Sequence, residues 1–127
     1  MIIELDMSSS TPIYVQLRNQ IVKGIGKGEL KTGEKLPTVR QLASDAGVNT
    51  MTVNKAYQIL KNEGFIRTDR RLGAFVSDSI ADDTDFTEKL ESELELLSAE
   101  ACLTGMSREE FLSMCDKIYS QMKPCTA

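Results

Sequence analysis

Apolar positions in the first half of the chain recur at helical spacing. Ile13, Leu17, Ile21 and Ile25 return every four residues, with Tyr14 and Val22 beside them, which predicts a helix with one buried face. Pro12 suits its first turn, since the N–H that proline lacks has no helical partner there. Gly24, Gly26 and Gly28 each weaken that helix by roughly 1 kcal/mol and predict fraying toward Gly28. Ahead of it, MIIELD reads as a short strand or an arm, broken off by SSSTP. Behind it, GELKTGEKLP has the composition of a loop.

The loop ends in a helix signal. Thr38, with Gln41 three residues on, forms a capping box. Val39, Leu42, Ala43 and Ala46 then make a stripe that stops at Gly47, a residue suited to a left-handed C-cap. Only Val48 and Asn49 intervene before Asn49 or Thr50 caps another helix, predicted to run to Glu63. Val53, Ala56, Tyr57 and Leu60 repeat the stripe there, and Gly64 ends it. Two short helices joined by a tight glycine-containing turn predict a helix-turn-helix, with small Ala43 allowing a close crossing. FIRTD and AFVS read as strands around an RRLG tip, where Gly73 can take positive φ. A basic hairpin after a helix-turn-helix is a wing.

Beyond SDSIADDTD, a stretch of linker composition, the pattern returns to helix. Asp85 and Glu88 can cap a helix carrying Phe86, Leu90, Leu94, Leu97 and Ala101, which Gly105 closes. Ser107 and Glu110 open another with Phe111, Cys115, Ile118 and Met122. Two helices of this length bury too little surface alone, so these stripes predict pairing with a second copy. The expected fold is mainly α. A winged helix-turn-helix domain with a small β-hairpin wing (1–78) precedes a linker (79–84) and a two-helix C-terminal dimerisation region (85–124).

Charge divides at the same place. The 127 residues carry a net −4, but residues 1–80 hold 11 Lys and Arg against 8 Asp and Glu, net +3. Residues 81–127 hold 4 against 11, net −7. A basic part joined to an acidic part suggests two jobs. No apolar run approaches a membrane span, and MIIELDMSSS lacks the basic and apolar regions of a leader, so the expected location is cytoplasmic, with no membrane partner.

Catalysis has little to work with. The chain has no His, which removes the commonest general base and metal ligand. Cys102, Cys115 and Cys125 are odd in number and form no C-x-x-C, so plain thiols are expected rather than a disulfide framework or a zinc site. Gly28 and Gly33 have P-loop spacing, but Glu34 stands where the lysine belongs and would repel phosphate. Glu88, Glu91, Glu93 and Glu95 read as a solvated face. The reading is therefore no enzyme, no metal and no cofactor.

Binding has more. NTMTVNK, the first turn of the third helix, offers Asn49, Thr50, Thr52, Asn54 and Lys55, the short polar groups and cation that base edges and phosphates require. Asn49 can cap its helix, touch DNA, or do both. Arg40 gains nothing from the helix dipole two residues after the cap at Thr38, which suggests an external anion. Lys27, Lys31 and Lys35 contribute a general positive field. Arg70 and Arg71 at the hairpin tip are poorly explained by folding and suit backbone or minor-groove contact.

PIYVQLRNQIVKGI, KTGEKLPTVRQLASDAGVN, TVNKAYQILKNEGFI and the GAFV-ended wing closely resemble the GntR family of bacterial transcription regulators, and VN…TVNKAY with a short helical tail is similar to its YtrA subfamily. The likeness covers about residues 2–77. It implies a dimeric repressor on a palindromic double-stranded DNA operator. By position Arg40 matches the arginine of the family's LPS-x-R motif, which contacts operator DNA. Thr38 falls in the same motif, and Gly73 matches the second wing glycine. Departures are Arg71 for the first wing glycine, Ala74 for the following threonine, and Thr50-Met51 for the usual Pro-Asn. The alternative is a winged-helix protein–protein adaptor whose exposed helix meets protein instead of DNA. A small-molecule effector is compatible with either reading, and no motif identifies one.

Overall fold

The computed structural model describes residues 3–78 and 84–124. The chain divides into two compact units, Met1–Ile80 with Lys123–Ala127 and Ala81–Met122. No helix among the described residues is long and apolar enough to cross a membrane.

The first unit contains helices α1 (Ile13–Gly26), α2 (Val39–Ala46) and α3 (Thr50–Asn62), then strands β1 (Ile66–Asp69) and β2 (Gly73–Val76). Leu17 and Ile21 of α1, Leu42 of α2, and Val53, Ala56 and Leu60 of α3 are buried together, closed by Ile66 and Val76 of the hairpin. Covering each such Leu or Ile stabilises the fold by roughly 1.5–3 kcal/mol. Apart from the hydroxyl of Tyr57, no polar side-chain group is buried among the described residues. α3 packs on both α1 and α2. Gly47 takes φ 72°, and the N–H groups of Gly47 and Val48 reach Ala43 and Ser44 carbonyls, closing α2 within one residue and turning the chain into α3.

Several boundaries differ from the sequence pattern. Pro12 is the residue before α1 rather than inside its first turn. Its extended ψ of 147° leaves its carbonyl to accept from Val15 and Gln16 N–H. α1 ends at Gly26, before Gly28. Gly24 lies buried within it, where a Cβ would meet Leu30 Cδ1 at 3.2 Å. Both strands sit one residue away from their expected edge. Phe65 lies outside β1, and β2 includes Gly73, which pairs with Asp69, but not Ser77.

Part of the expected loop pairs as well. Gly33 N–H donates to Val76 O at 2.9 Å, Val76 N–H to Glu34 O at 2.9 Å, and Leu36 N–H to Ala74 O at 2.8 Å. Residues 33–36 thus lie along β2 and support the wing from one side. Residues 3–6 form an arm against α1. Gln16 and Gln20, four apart on α1, hold alternate arm residues with their side-chain amides. Gln16 accepts from Asp6 N–H at 2.8 Å and donates to Asp6 O at 3.0 Å, and Gln20 accepts from Glu4 N–H at 2.8 Å and donates back to Glu4 O.

The second unit contains α4 (Thr84–Leu103) and α5 (Arg108–Ser120). α4 begins at Thr84, so Asp85 lies in the first turn, not at the cap, and the expected linker loses its last residue. Ser107 accepts from Glu110 N–H at 3.1 Å and Glu110 returns the bond, the capping box read from the sequence. No described side chain of α4 or α5 is buried.

Candidate nucleic-acid interface

The cap of α3 is Asn49. Its Oδ1 accepts from Thr52 N–H at 2.8 Å and from Thr52 Oγ1 at 2.9 Å. Both side chains are therefore turned toward the helix start, and Asn49 keeps only its amide donor for an outside partner. The core-facing residues Val53, Ala56, Tyr57 and Leu60 fix the rotation of α3. At 100° per residue, the face pointing away is Met51, Asn54, Lys55 and Gln58, all exposed. Thr50 is also exposed beside it.

Lys55 is held from behind. Its ammonium lies 4.0 Å from the Tyr14 ring centroid, a cation–π contact that ties the outer face of α3 to the start of α1. At the other end of α3, Arg18 donates to both Glu63 carboxylate oxygens, at 2.9 and 3.0 Å, and lies over Phe65.

The wing is shaped by its one acid. Asp69 Oδ1 accepts from Arg71 N–H at 2.7 Å and Leu72 N–H at 3.0 Å, closing the tip as an Asx-type turn. Those two backbone donors hold its carboxyl below the usual carboxylate range, with Arg67 adding a smaller lowering. Because the carboxylate faces the backbone, the side chains of Arg70 and Arg71 remain exposed, without a hydrogen bond or ion pair of their own among the described residues. Arg67 lies 4.8 Å over the ring of its register partner Phe75. Gly73 has φ 104°, and a Cβ there would meet Lys35 Cε at 3.4 Å.

Between α3 and the wing runs a cleft of about 340 Å³, lined among others by Lys35, Thr38, Asn54, Gln58, Lys61 and Gly73. Its floor is tied by Tyr57, whose hydroxyl donates to Pro37 O at 2.7 Å and whose pKa is pushed up to about 12 by burial. That bond fixes the approach to α2, where Thr38 accepts from Gln41 N–H at 3.1 Å and Gln41 accepts from Thr38 N–H at 3.0 Å. Arg40 follows, exposed, on a second and wider groove that it shares with Lys35, Thr38 and Gln41.

The expected site residues thus fall into three places. Thr38, Asn54 and Gly73 share the cleft. Asn49, Thr50, Thr52 and Lys55 belong to the start of α3, two of them committed to its cap and one to Tyr14. Arg40, Arg70 and Arg71 are exposed cations beside and beyond them. Met51, Gln58 and Lys61 escaped the sequence reading. The 3.6-residue period, applied to the outer face as it was to the core face, reaches Met51 and Gln58. Within the second unit, Phe86, Leu90, Leu94, Leu97, Cys115 and Ile118 are exposed, and Phe111 and Met122 half-buried. Cys102 and Cys115 are free and exposed, and Cys125 lies outside the described residues. Glu88, Glu91, Glu93 and Glu95 are all exposed, and no group of three metal-ligating side chains occurs among the described residues.

Three helices with the third displayed, followed by a basic two-stranded hairpin, define a winged helix-turn-helix protein. Residues 11–76 match the bacterial regulatory proteins of the GntR family, and the chain belongs to that family. It is 46% identical over 77 residues to the HTH-type transcriptional repressor YtrA of Bacillus subtilis, a match covering 61% of this chain and 59% of that repressor. Its fold is similar to the crystal structure of a transcriptional antiterminator from Listeria monocytogenes EGD-e, with TM-score 0.86 and 30% identity over 94% of this chain and 90% of that one. AraR(DBD) in complex with operator ORX1 is similar with TM-score 0.54 and 27% identity, over 58% of this chain and 93% of that one.

Proposed function

We propose that this chain is a sequence-specific regulator that binds a palindromic double-stranded DNA operator as a homodimer and represses transcription by occupying a promoter. The observation that carries the reading is the displayed face of α3, continuous through the Asn54–Gln58 cleft with a wing whose Arg70 and Arg71 side chains are exposed and without a partner among the described residues. Asn54 and Gln58 suit adenine edges in the major groove, and the arginines suit phosphate or a narrow minor groove. The operator-bound AraR domain and the YtrA repressor support DNA as the partner.

The division of labour follows the two units. The first reads DNA, and α4 and α5 hold two copies together through Phe86, Leu90, Leu94, Leu97, Phe111, Cys115, Ile118 and Met122. The second carries most of the acid and would repel a phosphate backbone. Function here is occupancy rather than catalysis, in the cytoplasm where the operator lies.

The test is a mobility shift on genomic fragments over a range of salt. Counterion release gives DNA binding a log-affinity that falls steeply with log salt, and one fragment class should outcompete random DNA. No shift on any fragment, or a shift indifferent to sequence, would favour the protein–protein adaptor.

A further inference from the structure

Met51 is the second residue of α3 and 80% exposed. It takes no part in the core cluster. An isolated exposed apolar side chain needs no explanation on an ordinary surface. This one stands at the outermost point of the displayed helix, in line with Asn54, Lys55 and Gln58 and opposite the buried Val53 and Ala56.

Its neighbours sharpen the point. Asn49 and Thr52 spend their hydrogen bonds on each other and on the helix start. The end of α3 that enters a major groove first therefore presents a threonine hydroxyl, an amide donor and a thioether. Among the base edges of that groove, the one apolar feature is the thymine 5-methyl group. Methionine is unbranched and polarisable, so it can adapt to that methyl group without a fixed packing geometry.

We propose that Met51 is a specificity-determining residue that selects an A·T pair, once in each half-site, by packing on the thymine 5-methyl group. The assignment rests on the DNA-binding reading above and adds the base pair that this chain's own departure at position 51 selects.

The experiment starts by selecting a site from a random pool with the full chain. Each thymine of that site is then replaced in turn by deoxyuridine, which removes only the 5-methyl group, and affinity is read by fluorescence anisotropy. One symmetric pair of positions is expected to weaken binding by about fourfold per half-site, the size of one buried methyl group. With Met51→Ala, the thymine and uracil sites are expected to bind equally. Because the side chain lies outside the core, the thermal melt of Met51→Ala should match the parent. Met51→Asn is expected to move the preference at that pair toward an adenine contact.

A selected site indifferent to every thymine-to-uracil exchange overturns the assignment of Met51 alone. So does a methyl dependence that survives in Met51→Ala. A protein that enriches no sequence overturns the DNA-binding reading and this assignment together.

Discussion

The two units carry apolar stripes of the same period and dispose of them differently. In α3, Val53, Ala56, Tyr57 and Leu60 are each 5% exposed or less. In α4, Phe86, Leu90, Leu94 and Leu97 keep between 39% and 54% of their surface. The difference is not in the helices but in what each can reach. α3 has α1, α2 and the hairpin around it, whereas α4 and α5 make few contacts with each other. Helical periodicity therefore says that a face is meant to be covered, and is silent on whether the cover belongs to the same chain. The first unit covers its stripes within one chain. Those of the second stay exposed within one chain, and under the proposal above a second copy covers them.

Paired core substitutions give the largest contrast. Leu60→Ala is expected to cost about 2–5 kcal/mol of stability, because it opens a cavity in a packed site. Leu97→Ala is expected to leave the urea unfolding of the first unit nearly unmoved while weakening self-association. Equal losses from both changes in the unfolding midpoint would erase the distinction.

The wing comes next. Arg70→Ala with Arg71→Ala is expected to weaken operator and random DNA alike and to flatten log-affinity against log-salt by about 2 per protomer. Asn49→Ala acts differently. It removes a cap at a cost of about 0.5–2 kcal/mol in the melt and, where its amide touches a base, alters sequence preference. An unchanged salt slope in the double arginine variant would mean that the wing stays off DNA.

Tyr57 gives a smaller effect with a defined sign. Burial holds its folded pKa at about 12, above the ordinary 10.0. The neutral phenol thus contributes stability that is present below pH 10 and is lost as pH rises toward 12. Tyr57→Phe is expected to lose about 1 kcal/mol at neutral pH, from the bond to Pro37 O, and to melt with less dependence on pH in the alkaline range. A variant as alkali-sensitive as the parent would place that sensitivity elsewhere. Smallest of all, changing Cys102, Cys115 and Cys125 together to Ser is expected to leave DNA affinity the same in oxidant and reductant. An oxidant effect abolished by the change would assign the thiols a regulatory role.

Most of the first unit was legible because its signals are local. The capping box at Thr38, the turn at Gly47 and the stripe of α3 each lie within one or two turns of chain. What was not legible depends on distant partners. Residues 33–36 have loop composition and pair with β2 only because the hairpin returns beside them. The glutamines that hold the arm look like ordinary polar residues of α1. At the proposed interface, Arg70 and Arg71 stood out because folding gave their side chains no use. Met51 did not, because an apolar residue among polar ones reads as noise until α3 is seen to point it outward. Lys55 was found as a cation, but its stacking on Tyr14 joins residues 41 positions apart.

Under the proposal, the first unit folds alone and the second holds two copies together. Light scattering on the full chain and on a chain ending at Ser79 tests it most directly. Twice the monomer mass is expected for the full chain and a folded monomer for the shortened one. A shortened chain that remains a stable dimer, or a full chain that runs as a monomer, would contradict it.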